Sequence, residues 1–319
     1  MKICVLDGYT TYPDTKEWKP LTELGDVTIY DRTATDEIIP RAKDAEIVLT
    51  NKVPLTGTTM DDLPKLRFIC VLATGYNIVE IDAARKRGII VANIPAYSTM
   101  SVAQMAFSHI LNITNNVAHY AKQVADGRWA SSRDFCFWDA PYPELAGKTM
   151  GIVGLGNTGM ATARIALAFG MKVIALTSKR KEQLPDGITP APIDDVLSLS
   201  DVISLHCPLT DSTRNIINAE AISKMKTTAI VINTGRGPLV NEVDMAKALH
   251  NNRIAAFGAD VLSTEPPTAD NPLLSAPHCY ITPHIAWAST EARHRLLEIA
   301  VENVRQYING EKVKNQVNQ

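Results

Sequence analysis

Short apolar, β-branched runs recur through the first hundred residues, each followed by a more polar stretch with helical spacing. The runs fall at residues 2–6, 27–30, 46–50, 68–72 and 89–92. Strands alternating with helical segments predict a parallel sheet covered on both faces. Residues 101–126 then read as one long helix, with Ser101 as its N-cap and Gly127 just past its end. A second series follows, with strands expected at 150–154, 172–177, 202–206, 229–233, 255–259 and 280–282. Residues 289–309 place Leu296, Leu297, Ile299, Ala300 and Val304 on one helical stripe. That last helix comes after the second series has ended, so it is expected to return to the first domain and make it discontinuous.

Composition narrows the class. The 319 residues exceed what one core usually serves, and 45% apolar with 21% charged content excludes a disordered or fibrous chain. Lys and Arg total 32 against 34 Asp and Glu, a net charge of −2, which leaves no basic excess for a nucleic-acid partner. No Asp, Glu, Lys or Arg occurs between Arg87 and Lys122, but Asn93, Pro95, Gln104, Asn112, Asn115 and Asn116 make that stretch too polar to span a membrane. The amino terminus lacks a signal-type apolar core, so a cytoplasmic protein is expected. Five cysteines, Cys4, Cys70, Cys136, Cys207 and Cys279, are odd in number and far apart. They indicate neither a disulfide framework nor a metal site, and most read as small core residues.

The first chemical signal is a glycine loop. Met150-Gly151-Ile152-Val153 leads into Gly154-Leu155-Gly156-Asn157-Thr158-Gly159 and then a helical run from Ala161 to Phe169. In GxGxxG between strand and helix, Gly154 permits the tight turn, Gly156 lets backbone approach a pyrophosphate, and Gly159 lets helix and strand pack closely. The helix N-terminus offers free N–H groups to the phosphates. Where an NAD-selective site carries an acid, the chain has Thr177, followed by Ser178, Lys179 and Arg180. Hydroxyls and cations there favour NADP(H) over NAD(H), because they hold a 2′-phosphate that a carboxylate would repel. The alternative is a solvated basic turn with NAD(H) bound.

Three ionisable residues follow expected strand ends: Arg236 in Asn233-Thr234-Gly235-Arg236-Gly237, Glu265 before Pro266-Pro267, and His284 in Thr282-Pro283-His284. Loops at the carboxyl ends of parallel strands are where such folds bind ligands. A guanidinium grips a carboxylate bidentately, an imidazole exchanges a proton near neutral pH, and a carboxylate on the other ring nitrogen fixes its tautomer. Each residue alone also fits a bland role: a surface pair, a loop carboxylate or a strand-end histidine.

With these segments and Gly258-Ala259-Asp260-Val261, the chain resembles the D-isomer-specific 2-hydroxyacid dehydrogenases over essentially its whole length. The resemblance implies an α/β fold of two doubly wound parallel-sheet domains. A Rossmann cofactor domain, residues 101–283, is inserted into a flavodoxin-like discontinuous catalytic domain, residues 1–100 and 284–319. The helical segment at about 101–145 would serve dimerisation. Arg236 would orient substrate, Glu265 pair with His284, and His284 act as acid and base. Val102 and Asp260 would border the nicotinamide ring and carboxamide, Asn233, Thr234 and Gly235 its ribose, and His206, Cys207 and Pro208 the adenine. For Val102 and Cys207, simple packing is the competing explanation.

The substrate side is read from Leu72-Ala73-Thr74-Gly75-Tyr76-Asn77, whose N–H groups are placed to cradle a carboxylate, and from Lys52 after another strand. For Lys52 a solvated surface position is an equal alternative. The aromatic segment Asp134-Phe135-Cys136-Phe137-Trp138-Asp139, with Tyr97-Ser98-Thr99, is similar to the glycerate dehydrogenase, or hydroxypyruvate and glyoxylate reductase, branch. In that branch Trp138 would close the partner subunit's substrate pocket of a homodimer; ordinary dimer packing is the alternative. A small 2-oxo or 2-hydroxy acid is therefore the expected substrate. Other family members, phosphoglycerate or D-lactate type, are weaker. A phosphoglycerate dehydrogenase is expected to carry a regulatory domain after the last helix, where this sequence runs only to Gln319, and a dense basic cluster for the substrate phosphate, which the first domain does not show. A corepressor-like binding protein on the same scaffold is the alternative of a different class, and a formate dehydrogenase would carry Gln at position 265.

Overall fold

β-Branched runs pair into two all-parallel sheets in this computed structural model, which describes residues 1–139 and 142–319. The chain divides into two units, residues 1–98 with 288–319, and residues 99–287. The expected boundaries at 100/101 and 283/284 lie a few residues inside these. His284 therefore stands in the second unit rather than the first, because the loop that carries it is hydrogen-bonded to Asp260 at the end of a neighbouring strand.

The first unit holds β1 (Lys2–Val5), β2 (Asp26–Ile29), β3 (Ile47–Thr50), β4 (Phe68–Val71) and β5 (Ile90–Ala92), in the spatial order β2-β1-β3-β4-β5. That is the flavodoxin-like order. Strands β3 and β4 are buried at every position, as expected of a sheet covered on both faces. The closing helix Thr290–Ile308 packs against β4, burying Leu296, Leu297, Ala300 and Val304, each worth about 1.5–3 kcal/mol for the larger side chains. Ser289 caps it, accepting from Ala292 N–H. Past the helix, Val317 N–H donates to Val91 and Gln316 bridges Ala92, so the chain end covers the β5 edge.

The second unit holds β6 (Thr149–Val153), β7 (Lys172–Leu176), β8 (Ile188–Pro190), β9 (Val202–Leu205), β10 (Ile230–Asn233), β11 (Ala256–Ala259) and β12 (Cys279–Ile281). Their order, β12-β11-β10-β9-β6-β7-β8, is the doubly wound dinucleotide-binding order, reversing between β6 and β9. The short edge strand β8, ending on a proline, escapes the periodicity argument because three residues carry no usable pattern.

Two helix expectations are corrected. The single helix 101–126 is two, Thr99–Asn115 and Val117–Ala125, broken at Asn116 with φ +49°, a left-handed conformation that asparagine tolerates. Ser101 is no N-cap; it lies in the first turn and its hydroxyl donates to the Ala286 carbonyl. The cysteines also divide differently from expectation: Cys4 and Cys70 are buried, whereas Cys136, Cys207 and Cys279 are half-buried. No helix among the described residues is long and apolar enough to cross a membrane.

Candidate active site

The glycine loop turns at the end of β6 where the strand order reverses. Gly154 has φ +95°, and a Cβ there would lie 2.5 Å from the Cys207 nitrogen. A Cβ on Gly159 would lie 2.1 Å from the Gly154 carbonyl oxygen. Both glycines are required by the protein's own packing. Gly156 is different: its φ is −75° and nothing would meet a Cβ, so its backbone is open to an incoming group. The helix Asn157–Ala168 starts directly after it, four residues before the expected run, and no side chain caps its first amides. Thr158 and Gly159 thus lie in the first turn, where free N–H groups and the positive dipole end favour a phosphate.

Around this loop, Thr177, half-buried, accepts from Lys179 N–H at 3.2 Å, forming a tight turn, and Ser178, Lys179 and Arg180 are exposed. His206 bonds Ser204 Oγ at 2.9 Å, and burial pulls its pKa down to about 4, so the ring is neutral at pH 7. Pro208 offers its carbonyl to Thr213. Val102 is half-buried in the first turn of its helix. Asn233 spends both ends of its amide on the following turn, accepting from Gly235 N–H at 3.1 Å and donating to the Arg236 carbonyl at 2.9 Å. Thr234 Oγ1 is buried with no partner among the described residues, an orphan that a bound hydroxylated ligand would satisfy. An open Gly156, an uncapped helix start and an orphan hydroxyl fit a dinucleotide.

Three loops at the carboxyl ends of β10, β11 and β12 carry the ionisable residues. Gly237 presses the first onto the second so closely that a Cβ would stand 1.9 Å from the Leu262 carbonyl carbon. Arg236, exposed, donates through Nη1 to the Gly235 carbonyl. Glu265 accepts from Leu262 N–H at 3.0 Å on Oε1 and holds His284 Nδ1 at 2.5 Å on Oε2. Both side chains are about one-third exposed, 33% and 29%. With the carboxylate accepting, Nδ1 carries the donated hydrogen, and Nε2 has no partner among the described residues. His284 adopts φ +53°, costly for a residue with a Cβ.

What holds that conformation is Asp260, 1% exposed. Its Oδ1 accepts from the Thr282 hydroxyl at 2.6 Å and Ile285 N–H at 3.0 Å, and Oδ2 accepts from Ala286 N–H at 2.7 Å. The hydroxyl's hydrogen being committed there, Thr282 accepts from His109 Nε2 at 3.1 Å. Glu242 braces the second loop, accepting from Ser263 N–H at 2.6 Å and Asn271 Nδ2 at 2.8 Å. The sequence reading missed the bracing by Asp260, Glu242 and Gly237. These bonds join residues some twenty or more apart, with no local pattern to betray them.

In the first unit, Ala73, Thr74 and Gly75 follow β4. Ile94 N–H donates to the Ala73 carbonyl at 3.0 Å. Lys52 is exposed on a loop whose backbone is clamped by Asp7, which accepts from Asn51 N–H at 2.8 Å and Lys52 N–H at 2.6 Å. In the second unit, Trp138 lies on a segment folded onto the helix Val117–Ala125, where Asp139 takes Arg128 and His119 at 2.7 Å each. Those partners draw the Asp139 pKa down to about 2. Trp138 is 70% and Phe135 88% exposed, so neither belongs to a core of this chain. The segment 101–145 assigned to dimerisation includes Ala140 and Pro141, which lie outside the described residues. Among the described residues no cluster of potential ligands is arranged to hold a metal.

Residues 107–286 match the family model of the D-isomer-specific 2-hydroxyacid dehydrogenase NAD-binding domain. The chain belongs to this family. It is 48% identical over 317 residues to a hydroxypyruvate reductase of Blautia hydrogenotrophica, covering 98% of each chain. It is 40% identical to a glycerate dehydrogenase of Methylorubrum extorquens over 88% of each. Among solved structures, an NADPH-dependent glyoxylate/hydroxypyruvate reductase from Sinorhizobium meliloti, in complex with NADP and malonate, superposes with TM-score 0.85 at 29% identity, covering 99% of this chain and 96% of that one. This D-2-hydroxyacid dehydrogenase thus falls in the glycerate and hydroxypyruvate branch, and the glycine loop lies within its NAD-binding domain.

Proposed function

We propose that this dehydrogenase reduces hydroxypyruvate or glyoxylate to D-glycerate or glycolate, with NADPH preferred to NADH. The observation that carries the reading is the Glu265–His284 hydrogen bond, which leaves Nε2 as the free proton-bearing atom of a ring fixed in position. When bound, the nicotinamide cofactor supplies the hydride to the carbonyl carbon. His284, protonated, gives its Nε2 proton to the carbonyl oxygen, so that the 2-oxo acid becomes the 2-hydroxy acid and the ring becomes neutral. Glu265 stabilises the imidazolium before transfer and keeps the hydrogen on Nδ1 afterwards. Arg236 grips the substrate carboxylate. In the first unit, Ala73, Thr74 and Gly75 are assigned to substrate binding through their backbone N–H groups, and Lys52 through its charge.

Gly154, Gly156, Asn157, Thr158 and Gly159 hold the pyrophosphate, Thr177, Ser178, Lys179 and Arg180 the 2′-phosphate, and His206, Cys207 and Pro208 the adenine. Val102, Asn233, Thr234, Gly235 and Asp260 border the nicotinamide riboside. The relatives' names and the NADP-bound neighbour support these assignments. The helix Val117–Ala125, without a buried residue, and exposed Trp129, Phe135 and Trp138 support a homodimer through this surface. The five free thiols fit a reducing compartment, the cytoplasm.

The test is an initial-rate matrix of glyoxylate, hydroxypyruvate, pyruvate and phosphohydroxypyruvate against NADH and NADPH. The highest kcat/KM is expected for hydroxypyruvate or glyoxylate with NADPH. A preference for pyruvate or the phosphorylated acid would overturn the substrate assignment, and faster turnover with NADH the cofactor assignment.

A further inference from the structure

Three asparagines, Asn93 and Asn303 buried and Asn315 half-buried, converge behind the Ala73–Gly75 loop. Asn93, 8% exposed, stands just past the end of β5. Its Nδ2 donates to the Thr74 carbonyl at 2.7 Å, and its own carbonyl accepts from Asn303 Nδ2 at 3.0 Å. Asn303 is 1% exposed on the otherwise apolar inner face of the helix Thr290–Ile308. Its Oδ1 accepts from Asn315 Nδ2 at 2.9 Å, and the Asn315 carbonyl accepts from Asn93 N–H at 3.2 Å. A helix needs no amide at such a site; an apolar side chain would pack there without the desolvation cost of a polar one. The network is closed and ends on one loop.

What it does to that loop follows from peptide geometry. The Ala73 carbonyl accepts from Ile94 N–H at 3.0 Å, the Thr74 carbonyl from Asn93 Nδ2, and the Thr74 hydroxyl donates to the Ile94 carbonyl at 2.9 Å. In a trans peptide the N–H points opposite to the C=O. The Thr74 and Gly75 N–H groups therefore face away from residues 93–94. Neither has an acceptor among the described residues. Adjacent unpaired amides held in one direction form an anion-binding nest.

We propose that Asn93, backed by Asn303 and Asn315, is a positioning residue that turns the Thr74–Gly75 peptide so that its N–H meets the substrate carboxylate. The proposal rests on the assignment of Ala73, Thr74 and Gly75 to substrate binding. Asn93→Asp keeps the volume but replaces the donor with an acceptor facing the Thr74 carbonyl. In the holoenzyme with NADPH, it should raise the hydroxypyruvate KM and the oxamate Kd by about tenfold. The kcat and NADPH Kd should stay within about twofold, the split expected when uniform substrate binding is lost. Asn303→Asp, which loses the Nδ2 donor shared by the Asn93 carbonyl and, at 3.8 Å, Cys70 Sγ but leaves Asn93 Nδ2 on the Thr74 carbonyl, should raise both by about threefold. Amide exchange of the peptide containing residues 72–77 should quicken in both variants, while the glycine-loop peptide is unchanged.

Arg236→Ala separates the two ideas. If it weakens oxamate and Asn93→Asp does not, the positioning role is overturned and the functional reading stands. If neither variant weakens oxamate, the functional reading falls with it. Should Asn93→Asp lose its cooperative melt, Asn303→Asp decides, and a wild-type oxamate Kd in that variant overturns the proposal.

Discussion

Replacing Asp260 by Asn tests how the fold imposes the conformation of His284. The carboxylate takes two backbone N–H groups of the His284 loop, Ile285 at Oδ1 and Ala286 at Oδ2, with the Thr282 hydroxyl as a third donor. An asparagine amide presents one acceptor and one donor. Turned one way its NH2 faces Ala286 N–H; turned the other it faces Ile285 N–H, and only the hydroxyl is able to rotate and adapt. Either way one buried N–H is orphaned and the remaining bonds lose their charge assistance. An orphaned donor costs about 1–3 kcal/mol and the lost charge roughly 1 more, giving about 2–4 kcal/mol. For a unit of this size that lowers Tm by about 5–15 °C.

The loop then relaxes from φ +53° at His284, and a displacement on the order of 1 Å at an acid/base atom costs about 10²-fold in kcat. Differential scanning calorimetry and steady-state turnover of hydroxypyruvate with NADPH, at 20 °C where the variant is folded, measure the two effects. A variant melting within a degree of wild type and turning over within twofold of it would refute the claim that Asp260 holds the His284 loop.

Other consequences are separately measurable. His284→Ala should cut kcat by about 10²–10⁴-fold while NADPH binding, followed by fluorescence, persists; an active variant would remove His284 as the acid. Lys179→Ala with Arg180→Ala should lower kcat/KM for NADPH by about tenfold or more and for NADH by less than about threefold, and equal losses would deny them the 2′-phosphate. Stability should fall with acid through His206: its folded pKa of about 4 lies below the unfolded 6.5, so the unfolded chain binds the extra proton between those values. Its contribution is complete above pH 6.5, declines as pH drops toward 4, and amounts to about 2 kcal/mol once the ring's residual solvent contact is allowed for. Urea titrations at pH 7.5 and 4.5, with His206→Gln losing that part of the difference, check it.

Much of the architecture is written in local patterns. Runs such as Phe68–Val71 and Ile230–Asn233 are buried on both faces, which only a covered parallel sheet allows, and their spacing announces it. The glycine loop is equally legible, since Gly154 and Gly159 are demanded by a positive φ and by close packing that any copy of this turn requires. Where a local signal was ambiguous, the reading slipped. Asn115-Asn116 looked like helix interior until Asn116 took a left-handed turn, and Ile188–Pro190 was too short to show a period.

The residues of the candidate site were therefore nameable from the chain, but not the framework that sets them. Arg236, Glu265 and His284, each fitting a bland role alone, stand out because guanidinium, carboxylate and imidazole together follow three strand ends downstream of a glycine loop. That Glu265 reaches Nδ1 rather than Nε2, that Asp260 grips the backbone of the loop behind His284, and that Asn303 reaches the Asn93 carbonyl are side-chain bonds to groups 19, 25 or 26, and 210 residues away. Periodicity reports which face of an element is buried, because each residue's burial follows from its own neighbours in sequence. A hydrogen bond across such distances depends on where the whole fold delivers two atoms, to within a few tenths of an ångström, and only tertiary packing decides that.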